Sequence, residues 1–552
     1  MLKGLARSSR RLTENGRILK SASVITLITL ISRICGYLRD QRVVLLLGTS
    51  SAADSFVLAF QIPNLLRKMV GEGSLGASFI PVFTRTLREA PQDAWRFAQR
   101  MFWLLAVVLA GLSILGVVFS RQIVHLFTLF SAGHTNWALA VFLTRLIFPY
   151  ILFAGLAALA MAILNSFHVF ALPASTSIFF NLAVITFSFA FLYRPILRWT
   201  PETFRSPAVA LGVGILLGGV IQLAMQIPAL ARRGMKFAPA LSLADPGVRK
   251  VGKLIGPGFL GMGVYQVNFI IDRIFAASSR MPSGSITSLY VADRVMELVL
   301  GSYAIAMSTA LLPMMSHQAA SGKFAEMKNT FGFSLRIVSF ITIPAAVGLI
   351  LLRQPIIQVL FQHGRFSAAS TALTCRALLF YSLGLPAFAA IKLISPMYFS
   401  THDTLTPARI GAWALGINIA LNTFFLLVFF RALSNGSPAL ASSLAAYFNF
   451  AALFWIFRKR YGRLGTRGLL RALARMAVCA VAMAAACLVL IRYSHFAAAT
   501  HFISQAAWLA AMILIPAGIY FALARLLRSE ELAEILLLLR RREPRVSPAP
   551  GA

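Results

Sequence analysis

Residues 138–166 read ALAVFLTRLIFPYILFAGLAALAMAILNS, with Arg145 as the only charge. A helix needs about 20 mostly apolar residues to cross the hydrocarbon core of a bilayer. This stretch exceeds that length and places Pro149 between two apolar halves. It reads as a membrane span with a bend built into it. The same signature recurs along the chain. Candidate spans fall near 21–46, 54–83, 101–120, 138–166, 174–193, 208–231, 254–277, 286–315, 333–352, 370–399, 409–430, 437–457, 473–491 and 503–524. The polar breaks between them, at 48–54, 91–95, 279–285, 321–328 and 401–406, are too short for a soluble domain. The expected fold class is an all-α polytopic membrane protein with about fourteen transmembrane helices.

Composition agrees. Of 552 residues, 58% are hydrophobic and 12% charged. A soluble domain carries about 25% charged residues, so an ordinary soluble enzyme is excluded. Forty-four phenylalanines exclude a disordered chain. Lys and Arg number 52 against 17 Asp and Glu, a net charge of +35. The first 20 residues hold Lys3, Arg7, Arg10, Arg11, Arg17 and Lys20 ahead of the first apolar segment. That opening is like a signal peptide's. The segment, however, is long, carries Arg33 and Arg39, and ends without a small-residue cleavage site, so it reads as a retained helix. With the N-terminus inside, the inside segments hold several times more Lys and Arg than the outside loops. Arg194, Arg198 and Arg205, in one outside loop, run against the trend. Both termini are then cytoplasmic. Topology and anionic lipid account for the positive charge, and nucleic acid does not. Cys35, Cys375, Cys479 and Cys487 lie in apolar stretches without CxxC or zinc spacing, and read as small buried hydrophobes.

An offset of 232 residues superimposes Asp40 on Asp272, Pro81 on Pro313, Phe148 on Phe380 and Phe167 on Phe399. Six helices per repeat leave the two copies parallel, related by an axis along the membrane normal. The expected organisation is a cytoplasmic basic N-terminus (1–20), an N-lobe of helices 1–6 (21–232), a C-lobe of helices 7–12 (250–460), helices 13–14 (473–524) and a cytoplasmic tail (525–552). In that tail, 530–545 reads as an amphipathic surface helix. Transporters with such repeats commonly bind substrate between the lobes. Pro63, Pro149, Pro257 and Pro386 offer points of bending. A duplicated channel or scaffold is the competing reading of the repeat.

Ten cations lie at membrane depth: Arg33, Arg39, Arg42, Arg67, Lys68, Arg145, Arg273, Arg294, Arg376 and Lys392. Six acids join them: Asp40, Asp54, Glu72, Asp272, Asp293 and Glu297. An ion at the bilayer centre costs about 2.5–3.5 kcal/mol on insertion scales, so it should face a cavity or a partner. Arg42, Lys68, Arg376 and Lys392 fit snorkelling to the interface. Arg33 and Asp40 are seven apart on one helical face. Asp293 and Arg294 stand four and three residues before Glu297, at ion-pair spacing. Arg67 precedes Glu72, which is flanked by Gly71 and Gly73. Surplus arginine at Arg33, Arg39, Arg67 and Arg294 suits an anion, and the planar guanidinium matches phosphate oxygens in pairs. The alternative is that each arginine is neutralised locally and only locks helix packing. No Walker loop, HExxH, GxSxG or aspartate-rich metal pair is present, so the reading is a carrier and not an enzyme.

SRICGYLRD (32–40), ADSFVLAFQIPNLLRKMVGEGSLGASFIPVF (53–83), FPYILFAGLAALAMAILNSF (148–167), YVADRVMEL (290–298), LFQHGRF (360–366) and the SP–F–THDTLTP pattern (395–407) resemble the MurJ/MviN family. These are bacterial lipid II flippases of the MOP exporter superfamily, and the resemblance covers nearly the whole chain. It implies fourteen helices, two lobes and a cationic central cavity in the bacterial inner membrane. It also implies transfer of the undecaprenyl-pyrophosphate-linked muropeptide from the cytoplasmic to the periplasmic leaflet. By motif match the family's cavity arginines fall on Arg33, Arg39, Arg67 and Arg294. Acidic partners and gate positions fall on Asp40, Asp54 and Glu72. Sodium ligands of some members fall on Asp272, Asn418, Asn422 and Ser442, although Asn422 stands where a second acid is expected. The implied partners are lipid II, membrane lipids and other cell-wall synthesis proteins, and no cofactor beyond a sodium ion is implied. Competing readings are a MATE-like exporter of small cations, a polyprenyl-phosphate enzyme, and a non-transporting cell-wall scaffold.

Overall fold

The computed structural model describes residues 27–69, 75–128, 136–190, 206–462, 466–496 and 501–540. The described residues are helical throughout apart from turns and short connections, with no strand among them. Internal contacts divide the chain into two compact units. The first runs to Thr287 and includes His363–Ser367, and the second holds the remainder.

In the first unit α1 spans 27–47. It is followed by α2 (Ser51–Met69), α3 (Leu75–Glu89), α4 (Pro91–Val118), α5 (Ser120–Phe127), α6 (Trp137–Ile147), α7 (Tyr150–Ser166), α8 (Ala171–Ala190), α9 (Pro207–Ala224), α10 (Ile227–Ala231) and α11 (Pro246–Ala276). The span expected over 54–83 is described as α2 and α3, with 70–74 outside the described residues. The one over 138–166 is two helices, α6 and α7, because Pro149 lacks the N–H that would continue the ladder. Pro63, by contrast, sits inside a continuous α2. Helix starts carry side-chain caps. Asn136 accepts from the Leu139 N–H at 3.1 Å, and Asp245 accepts from the Gly247 N–H at 2.8 Å. The core gathers Phe79, Phe83, Phe97, Leu105 and Ile163 from α3, α4 and α7. Phe79 stacks on Phe83 and on Phe97, each with ring centres 5.2 Å apart.

Contacts place α11 with α2, α3 and α4, which is why the first unit extends to Thr287 rather than ending near residue 232. Contact density and repeat symmetry are different criteria. The lobes 21–232 and 250–460 are defined by the second.

The second unit holds most of α12 (Ser285–Ala320), then α13 (Phe324–Leu351), α14 (Arg353–Phe361), α15 (Ala368–Ser400), α16 (Leu405–Val428), α17 (Phe430–Leu433), α18 (Ser437–Tyr461), α19 (Thr466–Tyr493), α20 (Phe502–Leu526) and α21 (Glu530–Arg540). Here α15 packs on α13 and α18, and α19 packs on α13 and α20. Phe340, Met476 and Tyr520 form a core between α13, α19 and α20, where the Tyr520 hydroxyl donates to the Phe340 carbonyl at 3.0 Å. The amphipathic tail is present as α21, whose Glu530 pairs with Arg336 at 2.8 Å.

Large apolar side chains also point outward, Ile114 at 63% and Trp413 at 68% exposure among them. Such a surface suits lipid rather than water. Ten helices among the described residues are long and apolar enough to cross a membrane, by length and composition. The other four expected spans fall on α1, α2 with α3, α11 and α12, and all four carry ionised residues.

Candidate functional site

In the first unit the charges of α1 are organised by a neighbour on α8. Arg39 donates from Nε and Nη2 to the Asp40 carboxylate at 3.0 and 2.6 Å, and from Nη1 to the Asn181 amide oxygen at 3.1 Å. Asn181 in turn donates to the Ser32 carbonyl at 3.3 Å. The Arg39 guanidinium lies 6.0 Å from the Phe60 ring centre and 5.8 Å from that of Phe180. Asp40 is buried. Arg33, two turns earlier on α1, is exposed. Arg67 is part-buried and donates to the Asn64 side chain at 3.1 Å. Arg33 and Arg39 are thus placed on one helix and Arg67 on the next, as the sequence pattern implied.

Asp54 has a different role from the other acids. Its carboxylate receives the Gly284 N–H at 2.8 Å, the Thr287 N–H at 2.8 Å and the Thr287 hydroxyl at 2.7 Å. It caps the start of α12 from the first turn of α2. Asp272 and Arg273 are both buried near the end of α11. Glu72, expected beside Arg67, lies outside the described residues.

In the second unit Arg294 pairs with Glu297 at 2.6 Å and lies 5.0 Å from the Tyr290 ring centre. The i,i+3 pair expected on this helix is therefore formed, and Asp293 is buried beside it. Asn418, Asn422 and Ser442 are brought together by α16 and α18. Asn418 donates to the Ser442 hydroxyl at 3.1 Å, and Asn422 donates to the Asn418 amide oxygen at 3.0 Å. These three are linked as a neutral inter-helix network, and within the second unit they bring no carboxylate to a cation. No cluster of three or more His, Cys, Asp or Glu with metal-binding geometry occurs among the described residues.

The residue that sequence reasoning missed is Asn181. It lies in an apolar helix and gives no charge signal, yet it fixes both the backbone of α1 and the Arg39 side chain.

The family model for lipid II flippase MurJ matches residues 43–507. A probable lipid II flippase MurJ of Vibrio cholerae is 34% identical over 454 residues, covering 80% of this chain and 83% of that one. One from Rhizobium tropici is 31% identical over 532 residues, covering 95% and 96%. Among solved structures, a lipid II flippase MurJ in an inward closed conformation shares the fold with a TM-score of 0.74 at 24% identity, covering 93% of this chain and 99% of that one. An inward-facing MATE multidrug transporter of the MOP superfamily shares it more distantly, with a TM-score of 0.64 at 14% identity over 81% of this chain and 99% of that one. A family match across more than four-fifths of the chain, joined to an all-helical fold with arginines on its opening helices, leads to one conclusion: this chain belongs to the lipid II flippase MurJ family.

Proposed function

We propose that this chain carries lipid II from the cytoplasmic to the periplasmic leaflet of the bacterial inner membrane by alternating access. In this reading it is a carrier, makes and breaks no covalent bond, and keeps both termini in the cytoplasm. Arg33, Arg39, Arg67 and Arg294 hold the pyrophosphate, and the polyprenyl tail stays in lipid. The carrying observation is a charge excess. Described residues of α1 and α2 hold five cations, Arg33, Arg39, Arg42, Arg67 and Lys68, against two acids, Asp40 and Asp54. Both carboxylates are engaged, Asp40 by Arg39 and Asp54 by Gly284 and Thr287. A cationic remainder in a low-dielectric setting favours a doubly charged anion. Substrate would relieve repulsion among the arginines and so favour the next conformation, which it can do only by binding the two states unequally. Lobes 21–232 and 250–460 are the bodies that rock, and Glu72 with Arg39 is the candidate gate pair. Sodium at Asp272, Asn418, Asn422 and Ser442 is a separate proposal. The four residues bring one carboxylate in all, that of Asp272, and no step above passes through the ion.

The test is the leaflet accessibility of lipid II in cells carrying this chain or an Arg33→Ala/Arg294→Ala variant. Headgroup reaching the outer leaflet with the wild type alone supports the site. Equal transfer by both, at equal protein levels, removes these arginines from the mechanism. A MATE-like exporter of small cations is the second reading, favoured by the shared fold. Extrusion of a cationic dye by the purified chain in vesicles would select it.

A further inference from the structure

The second unit holds a cavity of about 430 Å³ that the flippase reading does not use. It runs between α14 and the first three turns of α15. Its α14 wall carries Arg353, Gln354, Gln358 and Gln362, and its α15 wall carries Thr371 and Arg376. Gln354, Gln358 and Gln362 follow at four-residue spacing, so one face of α14 lines the groove, and Thr371 and Arg376 lie five apart on α15. The Thr371 hydroxyl donates to the Gln362 side-chain oxygen at 2.8 Å, which sets the register of the two walls. The helices run antiparallel from that bond. Arg353 and Arg376 are consequently at the same end, with the glutamines leading away from them. Cys375, the neighbour of Arg376, is within electrostatic reach of Arg353, which agrees with this register.

Among the described residues of the second unit, the charge at that end is uncompensated. The sequence has no Asp or Glu between Glu326 and Asp403, nor between Asp403 and Glu530. Among the described residues neither arginine forms an ion pair. Arg353 donates Nη1 to the Ile350 carbonyl, which fixes the guanidinium and leaves four of its five N–H donors for another group. Ala368 also lines the cavity, so the N-terminal end of the α15 dipole adds positive potential at the other end. The volume lies within the range of small-molecule sites and exceeds what an inorganic phosphate fills. A row of amides beside paired guanidinium groups matches hydroxyls beside a phosphate.

We propose that this groove binds a phosphate ester of a small polyol, with the phosphate on Arg353 and Arg376 and the hydroxyls on the glutamine row. The same chemistry is offered by the phosphoglycerol headgroup of a membrane lipid and by a soluble polyol phosphate.

The full chain, purified in detergent, would be titrated with glycerol 3-phosphate in one arm and short-chain phosphatidylglycerol in the other. Binding would be read by thermal shift and by mass spectrometry of the intact complex. One ligand per chain should bind saturably, and Arg353→Gln/Arg376→Gln should weaken it by about tenfold or more, since each lost contact is charge-assisted. Gln358→Glu, on a half-exposed helix position, should weaken it similarly with the ligand-free melting temperature unchanged. Binding in both arms makes the groove a site for soluble esters as well as headgroups. Binding of the lipid alone makes it a headgroup site. The proposal is overturned if neither ligand binds saturably, or if both variants bind as the wild type does.

Discussion

Asp54 and Thr287 are joined twice, through the Thr287 N–H at 2.8 Å and its hydroxyl at 2.7 Å, both to the same carboxylate oxygen. The other oxygen takes the Gly284 N–H at 2.8 Å. Gly284 has φ +88°, and a Cβ there would collide with the Thr49 carbonyl. The turn that presents this N–H therefore requires glycine.

From this follows a graded loss of stability. Asp54→Ala leaves two buried N–H donors without an acceptor and should cost about 2–6 kcal/mol. Thr287→Val removes only the hydroxyl bond to a charged group and should cost about 1.5–3 kcal/mol. Melting temperatures of the detergent-purified variants check the order. Equal effects would mean that the capping role of Asp54 is misassigned.

Asn181 supplies a second prediction. Asn181→Leu keeps the volume but takes the acceptor from Arg39 and the donor from the Ser32 carbonyl. Lipid II transfer should fall several-fold per folded molecule, and stability should drop by about 2–4 kcal/mol, since the Ser32 bond is neutral and the Arg39 bond is charge-assisted. Asn181→Gln, which can reach the same partners, should recover part of the activity. An unchanged transfer rate in Asn181→Leu would make this contact incidental to Arg39.

These residues also mark what the sequence discloses. Arg39, Asp40 and Arg294 are legible because an ion in an apolar helix is costly and must have a reason. Some helix starts fall within a residue of expectation, as at Ser437 and Phe502. The role of Asp54 is not legible, because its partners lie more than two hundred residues away and two of its three hydrogen bonds go to backbone. Asn181 is hidden for a similar reason, since an amide in an apolar run has no periodic signature. Arg376 illustrates a third limit. Spacing alone makes it a snorkelling residue, and only the packing of α14 against α15 gives it a cavity.

Helix packing in the second unit gives a third prediction. Gly384 on α15 has no room for a Cβ, which would overlap the Ser443 hydroxyl and the Phe388 ring. Ser443 donates from that hydroxyl to the Phe380 carbonyl at 2.7 Å and so ties α18 to α15. Small residues permit this approach, as is general for helices associating in lipid. Gly384→Ala should lower stability by about 1–3 kcal/mol through overpacking. Gly416→Ala on α16, where a Cβ meets nothing, should be neutral or stabilising. The pair, compared by thermal unfolding, separates packing from helix propensity.

The last prediction concerns acid. Asp403 lies in the connection between α15 and α16, outside the membrane spans. It accepts from the Thr406 N–H at 2.9 Å, the Thr406 hydroxyl at 2.7 Å and Arg460 at 2.5 Å. Burial pushes its carboxyl upward, but the two Thr406 hydrogen bonds and the Arg460 guanidinium outweigh it and hold the group below its ordinary value. A carboxyl depressed in the folded state contributes stability above the unfolded value and loses it as the pH falls through the folded one. The α15–α16 connection should thus keep full stability at neutral pH and weaken only at pH values below the usual carboxylate range. Asp403→Asn should lose that acid limb and be less stable than the wild type at pH 7, with the two curves converging in acid. Melting temperature against pH for both proteins is the measurement. Parallel curves would show that Asp403 carries no charge-dependent stability, and that Arg460, half-exposed at the end of α18, is only a surface neighbour.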